Sequence, residues 1–319
     1  MKAAVVLIIG RPSTGKSTLL NRFCEEHVAI VAAVPQTTRN RIRGIVTEER
    51  GQIVFIDTPG LHSSDRKLNL RLKAMVAESL DEVDIVLYLL DSTRPPGDEE
   101  RAIAALVRPH KKQVVAALTK IDILPPRSHR DAALSFLAAE LPGTPVVSVS
   151  GVTGDGVKEL LTLLFERAPE GEAMYPEEYY TDQPPEFRVS EIIRGEAISR
   201  VREEVPHALY VEIADMELPD ADASRNLGLP ETRDHGSAAE GEHPAGRVQT
   251  MWIRAFIVVE RESQKGILVG RGGRVIKEIR VASQREIARL FPYRISLDLR
   301  VKVDPKWRSN DRLLKRILY

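Results

Sequence analysis

The chain has 319 residues, enough for about two domains, and its 43% hydrophobic and 29% charged residues are those of a globular protein. Lys and Arg balance Asp and Glu at 46 each, a neutrality that conceals opposite excesses further along. A lone cysteine, Cys24, excludes an intrachain disulfide and suits a reducing cytosol; no apolar run reaches the ~18 residues of a membrane span, and the N-terminal one lacks a signal-peptide cleavage site.

The first predicted element is a buried strand at Val5–Ile9. Directly after it come Gly10, Arg11, Pro12, Ser13, Thr14, Gly15, Lys16 and Ser17, which fit G-x-x-x-x-G-K-[ST], and Thr18 carries the chain on into a helix near 17–24. Strand, glycine-containing loop and helix start are the context of a phosphate-binding loop, whose backbone N–H groups point at anionic oxygens. In this pattern Lys16 reaches the β/γ-phosphates and the Ser17 hydroxyl sits on Mg²⁺. Next, Pro35-Gln36-Thr37-Thr38-Arg39 offers a threonine that can close onto Mg²⁺ and the γ-phosphate and release on hydrolysis, Thr38 first and Thr37 second.

Strands are predicted at Arg43–Thr47 and Ile53–Ile56, the latter running into Asp57, Thr58, Pro59 and Gly60. A carboxylate ending a strand beside the phosphate loop suits the Mg²⁺ site, and Gly60 can bring its N–H against the γ-phosphate. A helix near 66–80, a strand at Ile85–Leu90, a helix near 98–107 and a strand at Val114–Leu118 follow. Then come Thr119, Lys120, Ile121 and Asp122, similar to the guanine-reading N-K-x-D motif. A carboxylate there accepts two hydrogen bonds from the guanine N1–H and N2–H₂ edge, which adenine lacks, and the Lys120 stem packs along the base. Thr119 supplies a hydroxyl where an amide is usual, so part of that amide's bonding is expected to be lost. After a helix near 128–140 and a strand at Val146–Val149, Ser150, Gly151 and Val152 stand where related GTPases place a backbone N–H on guanine O6, with a last helix near 157–166. Strands alternating with helices predict an α/β domain over 1–168, a mostly parallel sheet with helices on both faces. Its ligand should bind outside the carboxyl ends of the strands.

Residues 169–186 hold six acidic residues, four prolines and no basic residue, which reads as a linker unless its tyrosines dock onto a domain. A second domain is predicted over 187–319. It has a helix at Val189–Glu203, a strand at Ala208–Ile213, an acidic loop insertion at 215–246 of net charge −6, and a strand at Val248–Glu260. Residues 251–319 carry net +10, the footprint of a phosphate-rich partner. Within them Gly270, Arg271, Gly272 and Gly273 lie between helices at Ser263–Val269 and Arg274–Leu290. A G-x-x-G loop between two helices is the KH signature, which clamps about four nucleotides by their backbone. Lys265, Arg271, Arg274 and Lys277 supply charge beside that track.

Taken together, the five nucleotide elements resemble the translation-factor-like class of small GTPases. The run Val259-Glu260-Arg261-Glu262-Ser263-Gln264-Lys265-Gly266-Ile267 is similar to a signature of the Era family of bacterial GTPases. So are Arg202–His207, the Gln36–Arg39 stretch, Ser17–Asn21 and the region from Leu297 to Arg308. The resemblance covers both domains apart from the insertion. It implies a type II KH domain and a GTP/GDP- and Mg²⁺-dependent hydrolase. It also implies binding to small-subunit (16S) rRNA near its 3′ end during assembly of the small (30S) ribosomal subunit. A cytoplasmic monomer, peripherally associated with the inner membrane, is the expected form. Leu61 stands where well-known small GTPases carry a water-orienting Gln, so hydrolysis should be slow. Many relatives have Asn at the position of Ser13 for a K⁺ ion, so exchange of Na⁺ for K⁺ should change turnover little. Two alternatives remain: an RNA module that binds GTP and GDP with negligible hydrolysis, and a P-loop ATPase or kinase, against which Asp122 argues.

Overall fold

The computed structural model describes residues 1–31, 42–58, 79–124, 127–201, 205–219 and 249–309. The chain divides into two compact units, one spanning Met1–Thr181 and one beginning at Asp182.

The first unit is built on six strands: β1 (Lys2–Ile9), β2 (Ile42–Glu48), β3 (Gly51–Asp57), β4 (Ile85–Asp91), β5 (Val114–Thr119) and β6 (Val146–Ser148). Their order is β2-β3-β1-β4-β5-β6. Only β2 runs antiparallel, to β3; every other pairing is parallel. Every residue of β3, β4 and β5 is buried, as expected of strands covered on both faces. One face packs Ala4, Val6, Ile8, Phe55 and Leu87 under α1 (Lys16–Cys24) and a later helix at Val157–Arg167. There Phe23 stacks on Phe55 with centroids 4.5 Å apart. The other face packs Leu7, Ile9, Tyr88 and Val114 under α2 (Asp98–Val107) and α3 (Arg127–Glu140). The Val157–Arg167 helix is α4. Of the helix expected near 66–80, only residues 79 and 80 are described, and both are helical.

The stretch 169–186 requires correction. Its first part is a strap fastened to the nucleotide-side unit rather than a free linker. Ala3 N–H donates to Pro169 O at 3.0 Å, and Gly171 N–H donates to Met1 O at 2.9 Å. The fully buried Gln52 holds the middle: its amide donates to Tyr175 O at 2.8 Å and accepts from the N–H groups of Met174 and Tyr175. Ile45 N–H donates to Tyr180 O at 2.9 Å, and Thr181 Oγ1 donates to Arg43 O at 2.7 Å. Buried backbone and carboxamide groups must find partners. Here they find one another, so the segment belongs with the first unit through Thr181.

The second unit runs α5 (Pro185–Arg200), a short α6 (Val205–Ala208), β7 (Tyr210–Glu217), β8 (Thr250–Val259), α7 (Glu262–Val269), α8 (Arg274–Leu290) and β9 (Arg294–Val303). Helix α5 starts before the expected Val189 because Pro185 suits a first helical position. The sheet order is β7-β8-β9, with β7 antiparallel and β9 parallel to β8. Strand β8 alternates as a half-buried strand should: Met251, Ile253, Ala255 and Ile257 are buried, while Arg254 is exposed. The insertion expected at 215–246 starts too early, because β7 continues to Glu217. Its register shifts between Ile213 and Asp215, so a bulged strand carries Asp215 and Glu217 outward, where they read as loop composition. The rest of that insertion lies outside the described residues. Trp307 closes this core, its Nε1 donating to Ala208 O at 3.2 Å and its ring tilted 5.0 Å from Tyr210.

Candidate nucleotide site and RNA-binding loop

The C-terminal ends of β1, β3, β4, β5 and β6 lie along one edge of the sheet, and the predicted motifs at Gly10–Ser17, Asp57, Thr119–Asp122 and Ser150–Val152 follow β1, β3, β5 and β6. At the end of β1, Gly10 is required by close packing. A Cβ there would sit 2.8 Å from Thr14 Oγ1 and 2.9 Å from Leu89 O. Ser13 adopts φ 62° and Gly15 φ 92°, so the loop turns twice through the left-handed region before α1 begins at Lys16. Thr14 Oγ1 donates to Arg11 O at 3.0 Å, closing the turn. Thr18 lies in the first turn of α1, partly exposed.

Lys16 Nζ donates to Gly10 O at 3.1 Å and Arg11 O at 2.8 Å, both within its own loop. Burial pulls its ammonium down from 10.5 to about 8; Asp57 opposes that and Arg11 adds to it. Anionic phosphates favour the charged form. Binding a nucleoside diphosphate near pH 8 should therefore take up about half a proton. Calorimetry in buffers of different ionisation enthalpy reads this uptake directly, and a heat independent of buffer would refute it. In the empty protein the sign is opposite. The unfolded chain holds this proton longer, so Lys16's contribution to stability rises with pH between about 8 and 10.5.

Ser17 Oγ donates to Asp57 Oδ2 at 2.6 Å, which brings the two predicted Mg²⁺ residues together. A hydroxyl and a carboxylate, both oxygen donors, suit a hard cation that keeps most of its shell as water and phosphate oxygen. Thr58 turns away, its Oγ1 donating to Ile8 O at 2.8 Å. Thr37, Thr38, Pro59, Gly60 and Leu61 lie outside the described residues.

On the base side, Thr119 Oγ1 donates to Thr14 O at 2.8 Å, with Leu90 O at 3.2 Å. The hydroxyl thus keeps the link between base loop and phosphate loop. Lys120 takes φ 63° and leads into a single turn, Ile121–Ile123, that leaves Asp122 exposed at the rim. Ser150 is buried and accepts from Thr153 N–H at 3.0 Å. Gly151 packs so closely on α1 that a Cβ would lie 3.2 Å from Thr18 Cγ2. Val152 is exposed.

Four residues here escaped the sequence reading. Arg22 Nε donates to Gly151 O at 3.0 Å, and its NH2 donates to Val152 O, fixing the loop from α1. Asn21 accepts from Val28 and Ala29 N–H and donates to Ala29 O, pinning the chain after α1. Asp91 and Glu100 are buried and hold Arg11, at 2.7 Å from its NH2 and Nε respectively. Arg11 is therefore a phosphate-loop residue whose side chain faces the protein. Asp91 also takes Lys120 Nζ at 2.8 Å and both Thr93 N–H and Thr93 Oγ1. Burial would raise the Asp91 carboxyl, but the bonds from Lys120 and Thr93 outweigh it and hold the group below its ordinary value. Glu100 accepts from Gly97 N–H at 2.8 Å, joining the network to the start of α2. The available signal was an apolar strand ending in Asp at the ligand edge, the same pattern that singled out Asp57.

In the second unit the predicted loop lies between α7 and α8. Gly270 has φ 72°, and a Cβ on it would come 2.5 Å from Val275 Cγ2, so neither the conformation nor the packing admits a side chain. Gly272 and Gly273 also have positive φ, 61° and 76°. Arg271, Arg274 and Lys277 are exposed beside them, with Arg274 Nε donating to Glu278 at 2.9 Å. Lys265 is half-buried, 3.6 Å from Glu262. Gln264 is buried, and its Oε1 accepts from Glu260 and Arg261 N–H, so it caps α7 instead of facing a ligand.

Residues 5–120 match the family model for 50S ribosome-binding GTPases, and residues 236–308 match the KH domain model. Over 322 residues, all of both chains, the protein is 45% identical to the GTPase Era of Treponema denticola. It is 44% identical to that of Treponema pallidum over all of this chain and 98% of the relative. A variant of Aquifex aeolicus Era bound to GDP·AlF₄⁻ matches with a TM-score of 0.85 at 29% identity, covering 99% of this chain and 98% of that one. The same figures hold for an Era in complex with MgGDPNP and nucleotides 1506–1542 of 16S ribosomal RNA.

Proposed function

The chain belongs to the Era family of GTPases, and on that footing we propose that it couples GTP hydrolysis to binding of small-subunit rRNA near its 3′ end. It is a P-loop GTPase that uses Mg²⁺ and carries a C-terminal KH domain, and it assists assembly of the 30S subunit. The family model's description names the large subunit; the small-subunit assignment rests on the relative of the same domain order that holds a 16S fragment.

The single observation that carries the guanine-nucleotide reading is the joining of two loops into one site, by the Thr119 hydroxyl on the Thr14 carbonyl. In that site Lys16 releases its two loop carbonyls and meets the β/γ-phosphates. Ser17 and Asp57, joined by Thr38, hold Mg²⁺, which neutralises charge developing on the phosphate oxygens. Asp122 accepts the guanine N1–H and N2–H₂, and Ser150, Gly151 and Val152 present backbone N–H to O6. Gly60 offers its N–H to the γ-phosphate. Water attacks in line, but the Leu61 side chain has no polar atom to orient it, so turnover is slow. Gly270 to Gly273 bring the RNA backbone close, with Lys265, Arg271, Arg274 and Lys277 facing its phosphates.

We also place the protein in the cytoplasm, as a monomer able to associate peripherally with the inner face of the cell membrane. Among the described residues no helix is long and apolar enough to cross a membrane. The test of the whole reading is RNA crosslinking with bound GTP against bound GDP. Equal crosslinking in both states would remove the switch, and none in either would remove the RNA partner.

A further inference from the structure

The strongest unexplained feature is the charged cluster beneath the nucleotide site. Asp91 ends β4 and its side chain is only 4% exposed. Its two oxygens divide the work. Oδ2 receives Arg11 NH2 at 2.7 Å from the phosphate loop and Lys120 Nζ at 2.8 Å from the base loop. Oδ1 receives Thr93 N–H at 2.9 Å and Thr93 Oγ1 at 2.6 Å, which fixes the carboxylate plane. Arg11 is held from its other side by Glu100, whose remaining oxygen is engaged by Gly97 N–H. Arg94 also reaches Glu100, at 3.6 Å. The charged ends of Arg11 and Lys120 are both turned onto carboxylates of the protein.

We propose that Asp91 is a positioning residue that couples the phosphate loop, through Arg11, to the guanine-reading loop, through Lys120. Lys120 enters its loop in a left-handed conformation, and Asp122 follows two residues later in an exposed single turn. The turn itself is closed by Ile123 N–H on Lys120 O at 3.2 Å and Leu124 N–H on Ile121 O at 3.4 Å, with Ile121 N–H 3.5 Å from Val149 O. The ammonium of Lys120 anchored on Asp91 sets where the turn begins, and hence where the Asp122 carboxylate points. Arg11 on the same oxygen ties that anchor to the loop that grips the phosphates. A disturbance on one side is transmitted to the other through this carboxylate, in addition to the direct bond of Thr119 to the Thr14 carbonyl. This inference rests on the nucleotide-site reading above.

The coupling predicts an effect that a purely structural ion pair would not give: a phosphate-loop substitution that lowers base discrimination. The measurement is the ratio of affinities for GDP and IDP, which lacks the 2-amino group read by Asp122. It is made on the full chain for Asp91→Asn, Arg11→Gln, the double variant and Asp91→Glu, with thermal melts as a fold control. Asp91→Asn and Arg11→Gln should each lower the ratio by about tenfold, the scale of one charge-assisted hydrogen bond. The double variant should do no worse than the worse single one, and Asp91→Glu should restore most of the ratio. Should Asp91→Asn fail to fold, Arg11→Gln carries the test alone, since Asp91 then keeps Lys120 and Thr93. A wild-type ratio retained in folded Arg11→Gln overturns the coupling and leaves the nucleotide site standing. A wild-type protein that does not distinguish GDP from IDP overturns the site reading and the coupling with it.

Discussion

Replacing Asp122 by Asn is expected to weaken GDP binding by about two to three orders of magnitude, roughly the loss of one charge-assisted hydrogen bond together with the cost of an unpaired donor at the guanine edge. The carboxylate offers two acceptors to two donors. An amide keeps one acceptor and turns a donor toward a donor, which leaves a desolvated N–H unpaired. The same change suits xanthine, whose C2 carbonyl replaces the amino group, so XDP affinity should rise as GDP affinity falls. Asp122 is exposed in a single short turn, so the fold has little at stake. Competition of GDP and XDP for a labelled nucleotide reads both directions at once. Unchanged GDP affinity would mean that Asp122 does not face the base.

The second large effect belongs to the basic loop of the KH unit. Reversing Arg271, Arg274 and Lys277 to Glu together should abolish binding to a synthetic RNA of the small-subunit 3′ end at physiological salt. Neutralising three phosphate contacts on a single strand also lowers the slope of log affinity against log salt by about 2. A version with the three residues changed to Gln tests that figure while binding is still measurable. All three side chains are exposed, and Gly270, which sets the loop by packing on Val275, is untouched. GDP affinity should stay at the wild-type level in both variants. RNA binding that survives the reversal with its salt slope intact would place the RNA elsewhere on the molecule.

Much of this site is legible in the sequence, for a physical reason. Phosphate and guanine recognition demand particular residue types at strand ends, and the strands announce themselves as short apolar runs. Gly10, Lys16, Ser17, Asp57, Thr119 and Asp122 follow such runs at the spacing the chemistry needs, and the structure brings the described ones to one edge. What escaped was interaction between distant segments. Gln52 sits at the start of β3, beside the apolar run Ile53–Ile56, as a buried amide, a sign that something polar must cover it. Its partner is a proline-rich acidic stretch whose composition resembles a linker. Asp91 and Glu100 lie 80 and 89 positions from Arg11, and nothing local to any of the three discloses the pairing. In the KH unit, Gln264 and Trp307 lie within the stretches that resemble the family, and the structure shows them as a helix cap and a core ring. Asp215 and Glu217 looked like loop because a bulged strand turns them to solvent.

The strap from Pro169 to Thr181 has a consequence for how the molecule avoids its own kind. Strand β2 is one of the two edge strands of the six, and an edge strand offers unpaired N–H and C=O groups to any passing chain. Here Tyr180 takes the Ile45 N–H and Thr181 takes the Arg43 carbonyl. Those are the groups a foreign strand would need for a first foothold, on a strand whose Ile42, Ile45 and Val46 are apolar enough to reward it. The acidic residues Glu177, Glu178 and Asp182 flank Tyr180 and Thr181 in sequence. The strap thus occupies part of an edge as well as fastening the chain, and it is drawn from the stretch that leads to the KH unit.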